Sequence, residues 1–342
     1  MISNIAIFRA LYLGDMLCII PAVRAIRNGF PDAKISLIGL PWEREFVQRF
    51  PNYFDEFILF PGWPGLPEQD PDLDKVKRFI NEMRSQRFDL ILQMQGNGEI
   101  TNSMCTLWGG KKVCGLRREG GYAPDSLLFP VSEDGDHEIL RFLKLVDCLG
   151  VPRAGTHLEF PLTTQEKSRV DAILTEAGLT AGSYVCIHPG ARDKRRRWPI
   201  KKFAQVADKL SIAGHPIVLT GSQEERELLR ALADSIRTPV VDIVDQYGHL
   251  TAGELGALLA RAEVLVSNDT GVSHLAAALQ VASVILFSPY SDINRWRPLD
   301  ASQHVAIPWE RAEDLEYVMQ CIKAALERKA ERGRARLVTP DA

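Results

Sequence analysis

The chain has 342 residues, of which 46% are hydrophobic and 25% charged, and its formal net charge at pH 7 is −3. These values are ordinary for a globular protein of two domains, and they give no electrostatic reason to expect nucleic-acid binding. The six cysteines are scattered without a CxxC pair, which argues against a zinc site or a disulfide framework and fits a reducing compartment. Polar residues interrupt every long apolar run, so neither a signal peptide nor a membrane span is predicted, and we expect a soluble, cytoplasmic protein.

The first half of the chain alternates between apolar, β-rich segments and amphipathic helical segments. A loop over 61–67 is expected to be irregular, because it contains three prolines and two glycines. Strands are predicted over 2–8, 34–40, 57–60, 89–94 and 112–116, and helices around Val23–Arg27 and over 42–50, 73–87 and 137–149.

A segment with prolines and a glycine, 151–161, is the predicted linker, after which the same alternation restarts. Two such units predict an α/β fold with two mainly parallel sheets, in which ligands bind at the carboxyl ends of the strands, in a cleft between the domains. The last helix is a candidate to pack back on the first domain, and the tip of the charged tail, 329–342, is expected to be disordered. Helices are predicted over 167–177, 200–212, 224–233, 254–260, 272–279 and 312–332, and strands over 184–188, 217–220, 240–244, 264–266 and 283–287.

The stretch from Val264 to Leu279 is predicted to be a short strand that leads through Ser-Asn-Asp-Thr-Gly into a helix. Asp269 or Thr270 is well placed to cap that helix, and Gly271 lets a ligand approach its first turn closely. The first-turn N–H groups carry the positive end of the helix dipole and suit a diphosphate. His274 lies one turn further in. When this stretch is considered by itself, an ordinary capped helix with a half-buried histidine explains it equally well.

Two other predicted strand-to-helix loops indicate the same kind of ligand. Five basic residues lie between Arg192 and Arg197, and their position favours a phosphate clamp over a solvated surface run or a nucleic-acid patch. The segment from Thr220 to Glu225 fits a tight turn and a helix cap. Glu224 or Glu225 could complement the helix dipole or accept hydrogen bonds from a ribose diol.

Gly14 and Asp15 follow the first predicted strand. Asp15 could cap the following helix, or it could act as a general base towards an acceptor hydroxyl that Gly14 allows to come close. The chain has no Gly-x-Gly-x-x-Gly after either first strand and no Walker-type Gly-Lys-Ser/Thr. These absences count against a standard dehydrogenase and a P-loop enzyme.

Taken together, these motifs resemble glycosyltransferase family 9, the ADP-heptose:lipopolysaccharide heptosyltransferases and their relatives. The resemblance spans about residues 3–325 and is most specific in the Asp-Thr-Gly-x-Ser-His-Leu block. It implies the GT-B fold, with a Rossmann-like acceptor domain over 1–155 and a Rossmann-like nucleotide-sugar domain over 156–342, and reaction by inversion at the anomeric carbon. The motifs that carry it are Arg9-x4-Gly14-Asp15, His188-Pro-Gly through Trp198-Pro199, Gly221-Ser-x-Glu-Glu225 and Asn268-Asp-Thr-Gly-x-Ser-His-Leu.

The resemblance also implies a role for individual residues. Asp15 matches the catalytic base, with Arg9 and Gly14 on the acceptor side. Because the basic loop is one residue longer than in some heptosyltransferases, every basic residue from Lys194 to Arg197 remains a candidate phosphate ligand, with Arg196 and Lys194 preferred. The donor block is completed by Glu224 for the ribose and by Asp269, Thr270, Gly271 and His274 for the diphosphate.

The expected function is therefore transfer of a heptose from an ADP-linked donor to a hydroxyl of a lipopolysaccharide-core or related glycan acceptor. No cofactor, no metal site and at most weak metal dependence are expected, with at most peripheral contact with the inner membrane. Residues 1–160 contain 18 Lys and Arg against 21 Asp and Glu, which argues against a strongly anionic acceptor. The alternatives are a non-catalytic nucleotide-sugar-binding protein and a nucleotide-sugar epimerase on the same fold; an oxidoreductase fits less well.

Overall fold

The computed structural model describes the backbone of residues 2–338 and the side chains of residues 2–331. The tail tip predicted to be disordered lies outside these residues. The chain separates into two compact units between Thr156 and His157. Among the described residues, no helix combines the length and apolar character needed to cross a bilayer.

The first unit is a five-stranded parallel sheet in the order β3-β2-β1-β4-β5, with helices in the connections. Its strands are β1 (Asn4–Phe8), β2 (Lys34–Gly39), β3 (Glu56–Leu59), β4 (Leu90–Gln93) and β5 (Lys112–Gly115). Its helices are α1 (Leu13–Gly29), α2 (Glu43–Arg49), α3 (Leu73–Gln86), α4 (Thr101–Leu107) and α5 (Glu138–Cys148).

The core of this unit is aromatic on one face of the sheet. Phe8 of β1 packs against Phe60 and Trp108 at ring-centroid distances of 4.9 and 5.2 Å, and Phe79 of α3 closes the cluster against Trp108. The β1 side chains after Asn4 are buried, as expected of a central parallel strand covered on both faces. This packing fixes the position of the chain where it leaves β1.

The second unit is a six-stranded parallel sheet in the order β11-β10-β9-β6-β7-β8. Its strands are β6 (Val185–His188), β7 (Ile217–Leu219), β8 (Val240–Asp242), β9 (Val264–Asn268), β10 (Ser283–Phe287) and β11 (His304–Pro308). Its helices are α6 (Thr164–Glu176), α7 (Ile200–Ile212), α8 (Arg226–Ala233), α9 (Ile243–Tyr247), α10 (Ala252–Ala260), α11 (Gly271–Ala278), α12 (Ile293–Trp296), α13 (Trp309–Ala312) and α14 (Leu315–Val338).

Some predicted elements differ from the structure for local reasons. The strand predicted over 240–244 ends at Asp242, whose carboxylate caps α9 by accepting from the N–H groups of Val244 and Asp245. The helix predicted from Glu224 begins at Arg226 because a 3₁₀ turn precedes it. The helix predicted over 312–332 corresponds to α14, which begins at Leu315, and the prediction missed α4, α9, α12, α13 and β11.

In each sheet the strand order reverses beside the first strand, between β1 and β4 and between β6 and β9. Loops that leave neighbouring strands in opposite directions open a crevice at such a point, which is where ligands bind in open α/β sheets. The segments after β1 and β4 in the first unit, and after β6 and β9 in the second, therefore position the candidate site residues.

Candidate active site

Asp15 lies in the first turn of α1, immediately after the β1 loop. The N-cap position belongs to Tyr12, which makes no side-chain capping bond, so Asp15 is not the helix cap that the sequence allowed. Its carboxylate Oδ1 lies 3.4 Å from Nη2 of Arg9, and its side chain is 24% exposed. A carboxylate held on one side by a cation and reached by solvent on the other is suited to accept a proton from a bound hydroxyl.

Arg9 is completely buried, and its guanidinium is used within the first unit. It donates to the carbonyl of Met94 and to Glu138 Oε1 at 3.0 Å, and it lies 4.6 Å from the ring centre of Phe142. The Arg9 side chain has almost no exposed surface in this structure, and its contact with the acceptor stays a prediction. Its contacts make it a positioning residue for Asp15. Gly14, also predicted on the acceptor side, is buried in the first turn of α1.

Two of the three residues between Arg9 and α1 are held by side chains of other segments. The N–H of Ala10 donates to Gln95 Oε1 at 3.0 Å, and the N–H of Leu11 donates to Glu43 Oε1 at 2.9 Å. Trp42 Nε1 donates to the carbonyl of Leu11 at 3.1 Å. The backbone that leads to Asp15 is therefore fixed by three side chains, none of which the sequence motifs had indicated.

Glu43 is a buried acid beside this loop. Burial raises the pKa of Glu43 from 4.5 to about 9. The N–H groups of Leu11 and Leu40 and the charge of Arg9 lower this pKa by smaller amounts, and the charge of Asp15 raises it. The folded protein thus keeps a proton that the unfolded chain releases above 4.5. Between these two pKa values the folded state binds more protons, so stability falls as pH rises from about 4.5 to 9.

Glu43→Gln is expected to remove this pH dependence, because glutamine resembles the protonated acid and keeps an oxygen for the Leu11 N–H. At pH 8 we expect the free energy of unfolding to rise by on the order of 2 kcal/mol, with little change at pH 4.5. Urea unfolding at both pH values measures this. Exposed Glu82→Gln is the control, and an equal pH dependence in Glu43→Gln and the unchanged protein would contradict the assignment.

In the second unit, Asn268 at the end of β9 joins the two loops of the crevice. Its Oδ1 accepts from the N–H of Trp198 at 2.9 Å, and its Nδ2 donates to the carbonyl of Pro189 at 2.8 Å. The side chain is completely buried. Asn268 therefore fixes the basic loop after β6 against the start of α11.

Asp269 and Thr270 lead into α11. Thr270 occupies the N-cap position but makes no side-chain capping bond, and Asp269 instead accepts from the hydroxyl of Ser291 and lies 3.6 Å from Nη1 of Arg196. The expectation that one of these side chains caps the helix is therefore wrong. Ser273 donates to the Thr270 carbonyl at 2.7 Å, a side-chain bond that holds the first turn together.

His274 lies on the first turn and a half of this helix and is nearly buried, with 5% of the residue exposed. Its ring packs edge-on against Trp296 of α12, with 5.9 Å between the ring centres. Gly271, at the first helical position, and Thr270 are partly exposed. The start of α11 thus presents a partly open first turn beside a fixed imidazole ring.

The basic residues of the loop after β6 have different partners. Arg195 pairs with Asp193 at 2.7 Å and lies over the Tyr290 ring, whereas Arg197 lies 3.6 Å from Glu225. Arg196 is held at the start of α11 by Asp269. The ammonium of Lys194 is exposed, and within the described part of the chain no carboxylate lies within ion-pair distance of it. Arg196 is therefore the basic side chain at the start of α11, and the exposed Lys194 side chain is available to contact a ligand bound there.

Glu224, predicted to bind a ribose, is exposed, whereas its neighbour Glu225 is buried. Glu225 Oε2 accepts from the Ser222 N–H at 3.0 Å, and Oε1 lies 3.6 Å from Arg197. A Cβ at Gly190 would lie 2.2 Å from Glu225 Oε1, so a larger residue there would displace the Glu225 carboxylate. Glu225 therefore supports the loop from inside, and its exposed neighbour Glu224 remains the candidate for a ligand contact.

Comparisons with known proteins agree with these features. The family model described as "Glycosyltransferase family 9 (heptosyltransferase)" matches residues 76–326, which is most of the chain. The chain belongs to glycosyltransferase family 9. It is accordingly a glycosyltransferase, and its two Rossmann-like units with parallel sheets are those of the GT-B fold.

Individual relatives are distant but match over nearly the whole chain. The chain is 26% identical to Lipopolysaccharide heptosyltransferase 3 of Escherichia coli over 295 residues, 83% of each protein. Solved structures that it resembles include a family 9 glycosyl transferase from Veillonella parvula DSM 2008, with a TM-score of 0.77, 18% identity, and coverage of 96% of this chain and 97% of the other. The E. coli ADP-heptose LPS heptosyltransferase II has a TM-score of 0.73 at 20% identity and coverage of 96% and 99%. These structural likenesses support the fold of a family 9 glycosyltransferase.

Proposed function

We propose that this family 9 glycosyltransferase transfers a heptose from ADP-heptose to a hydroxyl of a lipopolysaccharide-core or related glycan, with inversion at the anomeric carbon. It would act in the cytoplasm, with at most peripheral contact with the inner membrane through the acceptor. The names of its relatives support the donor and the acceptor class: a lipopolysaccharide heptosyltransferase and an ADP-heptose LPS heptosyltransferase. The observation that carries the proposal is the Arg196 guanidinium held by Asp269 at the partly open start of α11.

The second unit is the proposed donor unit. The first-turn N–H groups of α11 and the Arg196 guanidinium offer donors to the two phosphates, and exposed Lys194 can add a further positive charge. Asp269 would orient Arg196 through their ion pair, while Thr270 and Gly271 form the approach to the helix start. His274 borders the same turn, and exposed Glu224 is placed to accept from the ribose hydroxyls.

The first unit is the proposed acceptor unit. Asp15 would remove the proton from the acceptor hydroxyl as that oxygen attacks the anomeric carbon and the bond to the leaving diphosphate breaks. Negative charge then grows on ADP, where Arg196 and the α11 start would stabilise it. Arg9 would hold the Asp15 carboxylate in place, and Glu138 would hold the Arg9 guanidinium from its other side.

An epimerase or a non-catalytic binding protein would also use the donor residues. A binding protein has no need of the partly exposed Asp15 carboxylate on a backbone held by Gln95, Glu43 and Trp42, and an epimerase needs further acids and bases beside it. That placement favours a base that acts on a second substrate, and hence transfer.

Calorimetry with ADP, UDP and GDP tests the donor assignment. We expect ADP to bind tightest, and Arg196→Ala to weaken ADP binding about tenfold, since it removes a charged donor to phosphate. The matched control is Arg237→Ala, an exposed arginine of the same unit, which should bind ADP as the unchanged protein does. A preference for UDP or GDP would reject the ADP-linked donor, and loss of binding in both variants would reject the special role of Arg196.

A further inference from the structure

A cavity of about 310 Å³ lies at the amino edge of the second sheet, opposite the edge that carries Asp269 and Arg196. The segments that lead into β10 and β11, the ends of α10 and α11, and one face of α14 form its wall. This volume is at the lower end of the roughly 300–1,000 Å³ of typical ligand sites, so we expect a small ligand. The apolar part of the wall comes from Leu279, Val281, Ala282 and Ala325, and the charged part from Arg328 and Lys329.

Arg328 lines this cavity without using its charge in the fold. Of its three guanidinium nitrogens only Nη2 is enclosed without an acceptor. The half-buried side chain makes no hydrogen bond or ion pair with any described residue, so its other two nitrogens remain open to solvent and to a ligand. Partial burial of an unpaired cation is unfavourable. An anion at the open nitrogens would offset that cost through charge-assisted hydrogen bonds, with the two-pronged geometry that arginine offers to a carboxylate.

Lys329, the next residue of α14, is partly committed to the fold. Its ammonium group donates to the carbonyl of Ala262. Burial lowers the pKa of Lys329, and the nearby charge of Glu263, which itself pairs with His215 at 2.6 Å, raises it. An ammonium group has three donors, so Lys329 can also donate to a ligand in the cavity, while Glu263 partly offsets its charge.

Helix ends attract cations, and both α10 and α11 end at this cavity, which offers a purely structural explanation for the two basic residues. The end of α11 is closed by its own backbone, since the N–H groups of Gln280 and Val281 donate to carbonyls of its last turn at 3.2 and 2.9 Å. Lys329 bonds the Ala262 carbonyl just after α10, so the helix ends account for Lys329. They leave Arg328 unexplained.

The surplus charge at the cavity is a single positive one. Among the described residues no acidic side chain lines it. Asp300 lies behind the wall, where it accepts from the Ser302 hydroxyl at 2.6 Å and from Gln303 Nε2 at 2.9 Å. These hydrogen bonds, that of Ser302 above all, lower the pKa of Asp300 to about 2, so it is ionised at neutral pH. With Asp300 close by and the Lys329 charge partly offset, the uncompensated charge is that of Arg328, which favours an anion with one negative charge.

We propose that this cavity is a second binding site, separate from the donor crevice, for a small carboxylate with an apolar body. The carboxylate accepts from the open nitrogens of Arg328 and from Lys329, and the apolar body packs against Leu279, Val281 and Ala325. Because the site lies at the edge of the sheet opposite the start of α11, its ligand does not compete for the donor residues. The inference does not depend on the proposed function.

Fluorine NMR titration of the full chain tests this, with 4-fluorobenzoate as the probe and the neutral 4-fluorobenzamide as a probe of the same shape. We expect the benzoate to bind with a dissociation constant of about 1 mM and the amide about tenfold more weakly. Arg328→Gln should weaken benzoate binding about tenfold, because it removes the charge that the carboxylate contacts. The matched control is Arg237→Gln, at an exposed arginine of the same unit, which should keep the full affinity.

Two further variants locate the bound probe. Ala260→Phe adds bulk to the cavity wall at an exposed position at the end of α10, so it should weaken benzoate binding about tenfold without changing any charge. Arg196→Ala, at the start of α11, should leave benzoate binding unchanged. The inference is overturned if benzoate does not bind, if the amide binds as tightly, if Arg328→Gln or Ala260→Phe keeps the full affinity, or if Arg196→Ala abolishes binding.

Discussion

Asp15→Asn is expected to lower kcat by about 10³-fold while leaving the affinity for ADP unchanged, because a well-placed general base contributes roughly 10²–10⁴-fold to the rate. Asparagine has nearly the same shape and can still accept a hydrogen bond from Arg9, so the fold and the loop should persist. The measurement is the initial rate of ADP release from ADP-heptose with a glycan acceptor, together with calorimetry for ADP.

The control for this substitution is Asp32→Asn, an exposed carboxylate of the same unit that lies before β2. It should retain the full rate. If Asp15→Asn kept a rate within about tenfold of the unchanged protein, a loss far below that of a general base, Asp15 would have only a structural role. If it lost ADP binding as well, the separation of acceptor and donor roles would be wrong.

The second large effect is expected at Asn268. Asn268→Ala leaves the buried N–H of Trp198 and the carbonyl of Pro189 without their partner, and each buried polar group left unpaired costs about 1–3 kcal/mol, so we expect a total loss near 3 kcal/mol in the free energy of unfolding. Urea unfolding followed by tryptophan fluorescence measures it. The same substitution should weaken ADP binding, because the loop that carries Arg196 is no longer fixed to β9.

Two variants make this test specific. Asn81→Ala removes an exposed asparagine in the first unit and should change stability little. Asn268→Asp keeps the oxygen for Trp198 but places a second oxygen against the Pro189 carbonyl, so it should destabilise the protein as well. A fully stable Asn268→Ala would show that the contacts at the end of β9 do not hold the basic loop.

The fold and the position of the candidate site could be predicted from the sequence because their signals are local. Alternation of apolar strands and helices predicts the parallel sheets, and the Asp-Thr-Gly block predicts the start of α11 to within a residue. The short elements were missed because their packing, not their pattern, determines them. For example, β11 contains only five residues and ends at Pro308, yet it pairs with β10 along its whole length.

The roles of individual side chains were harder to predict, because they depend on partners far away in sequence. Arg9 is buried against Glu138, which lies 129 positions further along the chain, and Arg196 is oriented by Asp269 in the loop after β9. The pairing of Arg195 with Asp193 could have been predicted from the sequence, because the two residues are only two positions apart. That prediction would have removed Arg195 from the candidate phosphate ligands. For Glu224 and Glu225 only the fold shows which side chain is buried.

Heptose transfer is tested by incubating the purified protein with ADP-heptose and methyl heptoside and resolving the products by mass spectrometry and NMR. We expect one ADP to be released for each disaccharide formed, with the configuration of the transferred heptose inverted at its anomeric carbon. Free heptose without disaccharide, an epimerised donor without ADP release, or retention of configuration would contradict it.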